Sequence, residues 1–169
     1  VLLDFARSDS GRLQLELESM DPEDLVLEAY ERLLPLAPSR LLLAPPAPEA
    51  LGLIRVDRQR LQQCLAALVD NALKFSVDAV TLSVELAQGS VLFHVIDSGP
   101  GIPMEERETV LERFARGSSS IGTRGSGIGL ATVTLLMQAM EGDLLIADAP
   151  GGGADMQLHF KASDHPPSP

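Results

Sequence analysis

The run Val91-Leu-Phe-His-Val-Ile96 does not alternate apolar with polar residues as a half-wet strand does, so it is expected to be buried on both faces. A second strand, Val80 to Ala87, precedes it across Gln88-Gly89-Ser90, and the two read as a strand pair. Earlier in the chain, Asp21-Pro22-Glu23-Asp24 opens a helix, with Asp21 as cap and Pro22 at the first helical position. That helix carries Leu25, Val26, Ala29, Tyr30, Leu33 and Leu34 on one broad face and ends by Pro35. Leu53 to Val56 reads as a strand, after which Asp57 caps a helix running to about Phe75. Its Leu61, Cys64, Leu65, Leu68 and Ala72 fit the 3.6-residue period. Leu13, Leu15 and Leu17 alternate with polar residues and predict a strand with one wet face. Short strands are also expected at 40–44, 144–147 and 156–160, the last with Met156, Leu158 and Phe160 on one face and Gln157, His159 and Lys161 on the other. A short helix is expected at about 104–111, and a longer one from Ser126 to Met140, with Gly142 just past its end. This mixed order argues for an α+β fold with helices on one face of a sheet, and against a doubly wound parallel sheet.

Composition narrows the classes of function. A chain of 169 residues with 45% hydrophobic residues suits one globular domain and excludes wholesale disorder. Its apolar runs fall far short of the roughly 18 residues of a membrane span, so no membrane contact is expected. The one cysteine, Cys64, excludes a disulfide framework and a Cys-based zinc site, and is expected to be a small buried hydrophobe. With 13 basic and 24 acidic residues the net charge is −11, a field that repels a nucleic-acid backbone, so no nucleic-acid partner is expected. A small anionic ligand remains allowed, since aimed amides or a local basic patch suffice for it. The chain opens Val-Leu-Leu-Asp, with neither an initiator Met nor the basic start of a signal peptide, and is read as a piece of something longer.

Three segments carry chemistry. Asp97-Ser-Gly-Pro-Gly-Ile-Pro103 follows the buried strand directly. Asp97 can accept a hydrogen bond from an exocyclic amine such as that of adenine, and Gly99 and Gly101 let backbone approach a flat ligand. Taken alone the segment is equally a turn, since all its residue types form turns. Gly122-Thr-Arg-Gly-Ser-Gly-Ile-Gly-Leu130 runs from a loop into an apolar helical pattern, where free amides and a helix N-terminus favour phosphate. It is not a P-loop, because Ile128 stands where that motif needs Lys, nor a dinucleotide fingerprint, because its spacing is G-x-G-x-G with no strand before it. Third, on the helix ending at Phe75, Asn71 offers an oxygen suited to Mg²⁺, and Lys74 shares roughly its face and could reach a phosphate. By itself this segment also reads as a solvated helix surface. Together the three supply an amine acceptor, a phosphate cradle and a Mg²⁺/Lys pair, the parts of an adenine-nucleotide site. Between them, Arg113, Arg116 and Arg124 form a basic stretch with no acidic residue, and Gly117-Ser-Ser-Ser suits a lid.

These residues resemble the ATP-binding catalytic domain of sensor histidine kinases, in the wider family that includes gyrase, Hsp90 and MutL. Leu68-Val-Asp-Asn-Ala-Leu-Lys-Phe-Ser76 looks like its N box, Asp97 to Pro103 like its first glycine box, Glu112-Arg-Phe-Ala-Arg116 like its F box, and Gly125-Ser-Gly-Ile-Gly-Leu130 like its second glycine box. The resemblance covers about Leu2 to Lys161 and implies a two-layer α/β sandwich, helices over a mixed sheet, with ATP under a flexible lid. It implies a domain over 13–161, preceded at 1–12 by the end of a dimerisation-hairpin helix and followed at 162–169 by a disordered tail. It also implies that Asp97 reads the adenine amine, Asn71 binds Mg²⁺, Phe75 sits near the base or ribose, and Lys74 holds phosphate. The first glycine box (Gly99, Gly101, Ile102), Phe114, and the second glycine box with its flank (Arg124, Gly125, Ser126, Gly127, Ile128, Gly129, Leu130) complete the implied ATP site. Asn71 and Lys74 are the implied catalytic residues, with Arg113 or Arg116 at the γ-phosphate. The implied partners are the phosphoacceptor-His dimerisation domain of the same protein and the receiver domain of a response regulator. The implied location is cytoplasmic, with membrane anchoring of a full-length sensor left open.

Two departures qualify this. The family's acceptor, a helical His followed by Glu or Asp, is absent: His94 and His159 fall on strands and His165 in the tail, and all three are expected to be structural or solvent-exposed. Four residues before Asn71, where the kinases usually carry another Asn and the gyrase-like ATPases a Glu base, this chain has Ala67. The missing Glu argues against ATP hydrolysis, and the missing Asn motivates an alternative, a degenerate nucleotide-binding or scaffolding module. A methyltransferase reading of Asp-x-Gly-x-Gly predicts an acidic residue ending the next strand, where residues 113–125 are instead basic and glycine-rich.

Overall fold

The structure, a computed structural model, describes residues 14–48, 50–76, 78–97, 129–149 and 152–162. The first helix, α1 (Pro22–Leu33), starts as the sequence predicts: the Asp21 carboxylate accepts the Glu23 amide and Pro22 begins the first turn. A 3-10 turn over Leu34–Leu36 then leads into a short edge strand, β2 (Leu41–Leu43). Asp57, the last residue of β3 (Ile54–Asp57), caps α2 (Arg58–Phe75) through Oδ1 to the Arg60 amide at 3.1 Å. Its other oxygen accepts the Glu16 amide at 3.0 Å, so one carboxylate both starts the helix and ties down the segment before β1 (Leu17–Met20). β1 pairs antiparallel with β3 in a two-stranded sheet. It lies further along the chain than the alternation at 13–17 predicts: Leu15 is only half-buried and pairing begins at Leu17.

Among the described residues the main sheet has five strands in the order β2-β4-β5-β7-β6, comprising β4 (Val80–Ala87), β5 (Ser90–Asp97), β6 (Asp143–Asp148) and β7 (Ala154–Lys161) with β2 at one edge. β2 runs parallel to β4 and the other pairs are antiparallel, so the sheet is mixed. The β4–β5 turn is tighter than expected. Ser90 pairs with Ala87, leaving Gln88 (φ 54°) and Gly89 (φ 80°) as a two-residue turn whose positive dihedrals match strand twist.

β5 sits in the middle of the sheet and is buried along most of its length, including Leu92 and His94 on the face away from the helices. On the inner face, Val91, Phe93 and Val95 join Leu82, Met156, Leu158 and Phe160 in one core with Leu61, Leu65 and Leu68 of α2 and Val133, Leu136 and Met137 of α3 (Leu130–Ala139). The Phe93 and Phe160 rings meet edge to face, 6.0 Å apart at 89°. Helices on one face of a mixed sheet are the arrangement the sequence predicts. Cys64 lies in this core, and burial pushes its thiol up to about 12.

Gly142 has a different job from the one its position suggests. The left-handed residue that ends α3 is Glu141 (φ 64°), and the Gly142 amide returns to the Met137 carbonyl at 2.7 Å. A Cβ on Gly142 would lie 2.6 Å from the His159 carbonyl oxygen and 2.8 Å from Met137 Cε, so close approach to β7 demands the glycine.

Candidate nucleotide site

α2 buries its apolar stripe on the sheet, and that burial carries Asn71 with it. Asn71 lies one turn beyond Ala67 and Leu68 on the helix face turned toward the sheet, and is only 8% exposed. Its Nδ2 donates to Met156 Sδ on β7 at 3.7 Å, so the amide oxygen, the atom that suits a hard cation, is not spent on that contact. Asp97 ends β5 and is 7% exposed. Its Oδ1 accepts the amide of Ala154, the first residue of β7, at 3.1 Å.

These contacts bring the two side chains to one place. Ala154 and Met156 are two residues apart on β7, and Met156 pairs with Val95, two residues before Asp97. Asp97 and Asn71 therefore meet β7 where β5 ends and β7 begins, beneath the C-terminal half of α2. Lys74 is one turn further along α2, exposed, with Nζ 3.1 Å from Asp70 Oδ2. Leu130 is buried in the first turn of α3, and Gly129 precedes it in an extended conformation (φ −100°) with no side-chain cap. α2 and α3 pack against each other.

The remaining predicted site residues, Gly99, Gly101, Ile102, Arg113, Phe114, Arg116, Arg124, Gly125, Ser126, Gly127 and Ile128, lie outside the described residues, as does the Phe75 side chain. So do the helix expected at 104–111 and residues 126–128 of the helix expected from Ser126; that helix begins only at Leu130, because Gly129 is extended and not helical.

Ala67, four residues before Asn71, is 4% exposed, so this position is an apolar, closed one. Among the described residues no three His, Cys, Asp or Glu side chains group to hold a metal. The Asn71 amide offers one neutral oxygen, which suits the mode in which Mg²⁺ takes most of its ligands from phosphate oxygens and water.

Sequence reasoning missed three sets of contacts. The Lys74–Asp70 pair has the i, i+4 spacing and was there to be read. The Ala154 and Met156 partners depend on strand register, for which the sequence carries no local signal. The third is a polar cluster around His94 on the outer face of the sheet. Of the three histidines expected to be structural or exposed, His94 is buried and ion-paired, His159 is half-buried with Nε2 2.7 Å from Gln157 Oε1, and His165 lies outside the described residues.

Known proteins resemble this chain over nearly all of its length. The family model described as histidine kinase-, DNA gyrase B- and HSP90-like ATPase matches residues 56–164. The sensor protein DivL of Caulobacter vibrioides is 36% identical over 168 residues, which is 98% of this chain and 21% of that protein. The sensor protein KdpD of Escherichia coli is 33% identical over 155 residues, 90% of this chain and 17% of that protein. The chain thus spans about a fifth of the length of these relatives. Among solved structures, full-length ShkA in complex with AMPPNP superposes with a TM-score of 0.75 at 30% identity, covering 96% of this chain and 35% of that one. The ATP-binding domain of PrrB from Mycobacterium tuberculosis shares the fold, with a TM-score of 0.71 at 24% identity, covering 88% and 99%.

Proposed function

Because the chain belongs to the histidine kinase-, DNA gyrase B- and HSP90-like ATPase family, we propose that the site between α2 and the β5–β7 strand ends binds Mg-ATP and presents its γ-phosphoryl to a histidine of the larger protein. The chain is an ATP-binding catalytic domain of the sensor histidine kinase type. The observation that carries the site assignment is the convergence of Asp97 and Asn71 on Ala154 and Met156, alternate residues of β7.

Asp97 accepts the adenine amine. The Ala154 amide on Oδ1 fixes the plane of the carboxylate, so the group is oriented before the base arrives. Asn71 holds Mg²⁺ through its amide oxygen, and the ion neutralises phosphate charge when bound. Lys74 exchanges Asp70 for a phosphate oxygen, a cheap exchange because the existing pair is partly solvated. Phe75 sits against the base or ribose. Gly99, Gly101 and Ile102 flank the base, and the amides from Arg124 to Leu130 hold the phosphates at the uncapped start of α3. Phe114 contributes to ATP binding, and Arg113 or Arg116 reaches the γ-phosphate. Such a transfer relies on positioning and charge stabilisation more than on a strong base.

In this reading residues 13–161 form the catalytic domain, 1–12 the exit from a dimerisation hairpin and 162–169 a tail. The phosphoacceptor is a histidine on that hairpin, and a response-regulator receiver domain accepts the phosphoryl group next. No described helix is long and apolar enough to cross a membrane. It is the resemblance to sensor histidine kinases that assigns the domain to the cytoplasmic side.

The test mixes this chain with a hairpin bearing its histidine, labelled ATP and Mg²⁺, and looks for phosphohistidine. Transfer is expected. Confirmed ATP binding without transfer would favour a nucleotide-binding module without kinase activity, the reading that the apolar Ala67 supports.

A further inference from the structure

The outer face of the sheet carries a closed polar cluster directly behind the nucleotide site. His94 on β5 has Nδ1 at 2.9 and 3.0 Å from the two Asp155 oxygens on β7, and Nε2 at 2.6 Å from Glu85 Oε2 on β4. Both carboxylates are diagonal neighbours of His94 across the ladders. His94 is 8% and Asp155 6% exposed, whereas Glu85 is exposed. An ionised carboxylate only accepts hydrogen bonds, so a ring placed between two of them satisfies both contacts only as the doubly protonated imidazolium.

Asp155 stands between the two β7 residues that serve the site. Ala154 gives its amide to Asp97, and Met156 receives the Asn71 amide. Their side chains face the opposite side of the sheet from Asp155, so what anchors Asp155 also sets the position of this piece of β7. We propose that His94, in its protonated form, is a positioning residue for nucleotide binding: by holding Asp155 it keeps the Ala154 amide and Met156 in register with Asp97 and Asn71, and loss of its proton weakens ATP binding. This rests on the assignment of Asp97 and Asn71 to the nucleotide site.

The groups around the ring agree with this. From β4, Glu85 faces it, with Ser83 directly opposite. From β7, Asp155 faces it, with Gln157 opposite, donating to Asp155 at 2.9 Å and linked on to His159. Asp143 of β6 lies opposite His159. Burial works against the charged ring, but Asp155 and Glu85 together outweigh it and raise the His94 pKa above its usual value, while burial and the nearby His94 charge lower that of His159. A raised pKa means the proton is present below about pH 6.5 in any state of the chain and is lost as pH climbs through the raised value. The positioning effect is therefore full at mildly acidic pH and fades on the alkaline side.

The test measures Mg-ATP affinity of the 169-residue chain from pH 6 to pH 9, beside the His94→Gln variant, with melting curves of both. Subtracting the variant's profile removes the titration of ATP itself. Wild type is expected to lose about fivefold more affinity than the variant across this range, a coupling of ordinary size. At pH 6 the variant should bind about fivefold more weakly than wild type. Parallel profiles, with or without a lower melting temperature in the variant, would make the cluster a structural ion pair and overturn the proposal. If His94→Gln does not fold, the His94 ring of wild type is followed by NMR with and without Mg-ATP, where nucleotide should raise its pKa, and an unmoved pKa overturns the proposal. Should Asp97→Asn leave ATP affinity intact, the site assignment itself fails; should Asp97 matter while the two pH profiles coincide, only the role of His94 fails.

Discussion

Replacing Asp97 by Asn tests the carboxylate as an acceptor of the adenine amine. The Ala154 amide, 3.1 Å from Oδ1, keeps an acceptor in the variant, because the Asn amide oxygen can take the same place. The side chain is nearly isosteric and lies at the end of β5, so the fold should survive with little change in melting temperature. The other half of the group changes character: in the proposed site the carboxylate accepts the adenine amine, whereas the variant would present Nδ2–H, a donor facing a donor. A hydrogen bond to a charged acceptor contributes about 1.5–3 kcal/mol, and each 1.4 kcal/mol is tenfold in affinity. The expected loss is therefore about 10- to 150-fold in ATP affinity by calorimetry. A ligand lacking the exocyclic amine, such as inosine triphosphate, should lose little or nothing. If Asp97→Asn binds ATP as tightly as wild type while remaining folded, the carboxylate does not read the base.

Other consequences are as direct. Gly142→Ala forces a Cβ to within 2.6 Å of a β7 carbonyl, a backbone atom that cannot step aside, so chemical denaturation should show a loss of about 1–3 kcal/mol without a change in slope. Lys74→Ala should weaken ATP by up to about fivefold and leave adenosine binding unchanged, because an exposed charge contributes at most about 1 kcal/mol. Cys64, buried with its thiol pushed up to about 12, should resist alkylation at pH 8 in the native chain and react once the chain is unfolded in denaturant.

Most of the fold was legible because its signals are local. Asp21 and Asp57 cap the helices they were expected to cap, since a short carboxylate before an apolar 3.6-residue pattern has few other uses. Alternation in β7 assigned Met156, Leu158 and Phe160 to the core and Gln157 and His159 to the other face, as found. Where local signals misled, a distant partner decided. β1 begins at Leu17 because pairing with β3 sets its register, and leucine alternation from 13 cannot report that. Gly142 looked like a left-handed cap, yet Glu141 takes that conformation and the glycine answers to the nearness of His159. The site divides in the same way. Asp97 and Asn71 stand out as candidates by residue type at a strand end and on a helix face. The β7 residues that hold them, and the His94 cluster behind, emerge only from strand pairing across about 60 residues of sequence, which no local pattern encodes.

The central claim is that one carboxylate and one carboxamide, converging on the start of β7, select and hold Mg-ATP. A structure of the chain with Mg²⁺ and a non-hydrolysable ATP analogue tests it most directly. The adenine amine should lie within hydrogen-bonding distance of Asp97 and the metal should sit on the Asn71 oxygen with phosphate and water completing its shell. A nucleotide bound away from the β5–β7 strand ends, or bound there with its base turned from Asp97, would contradict it.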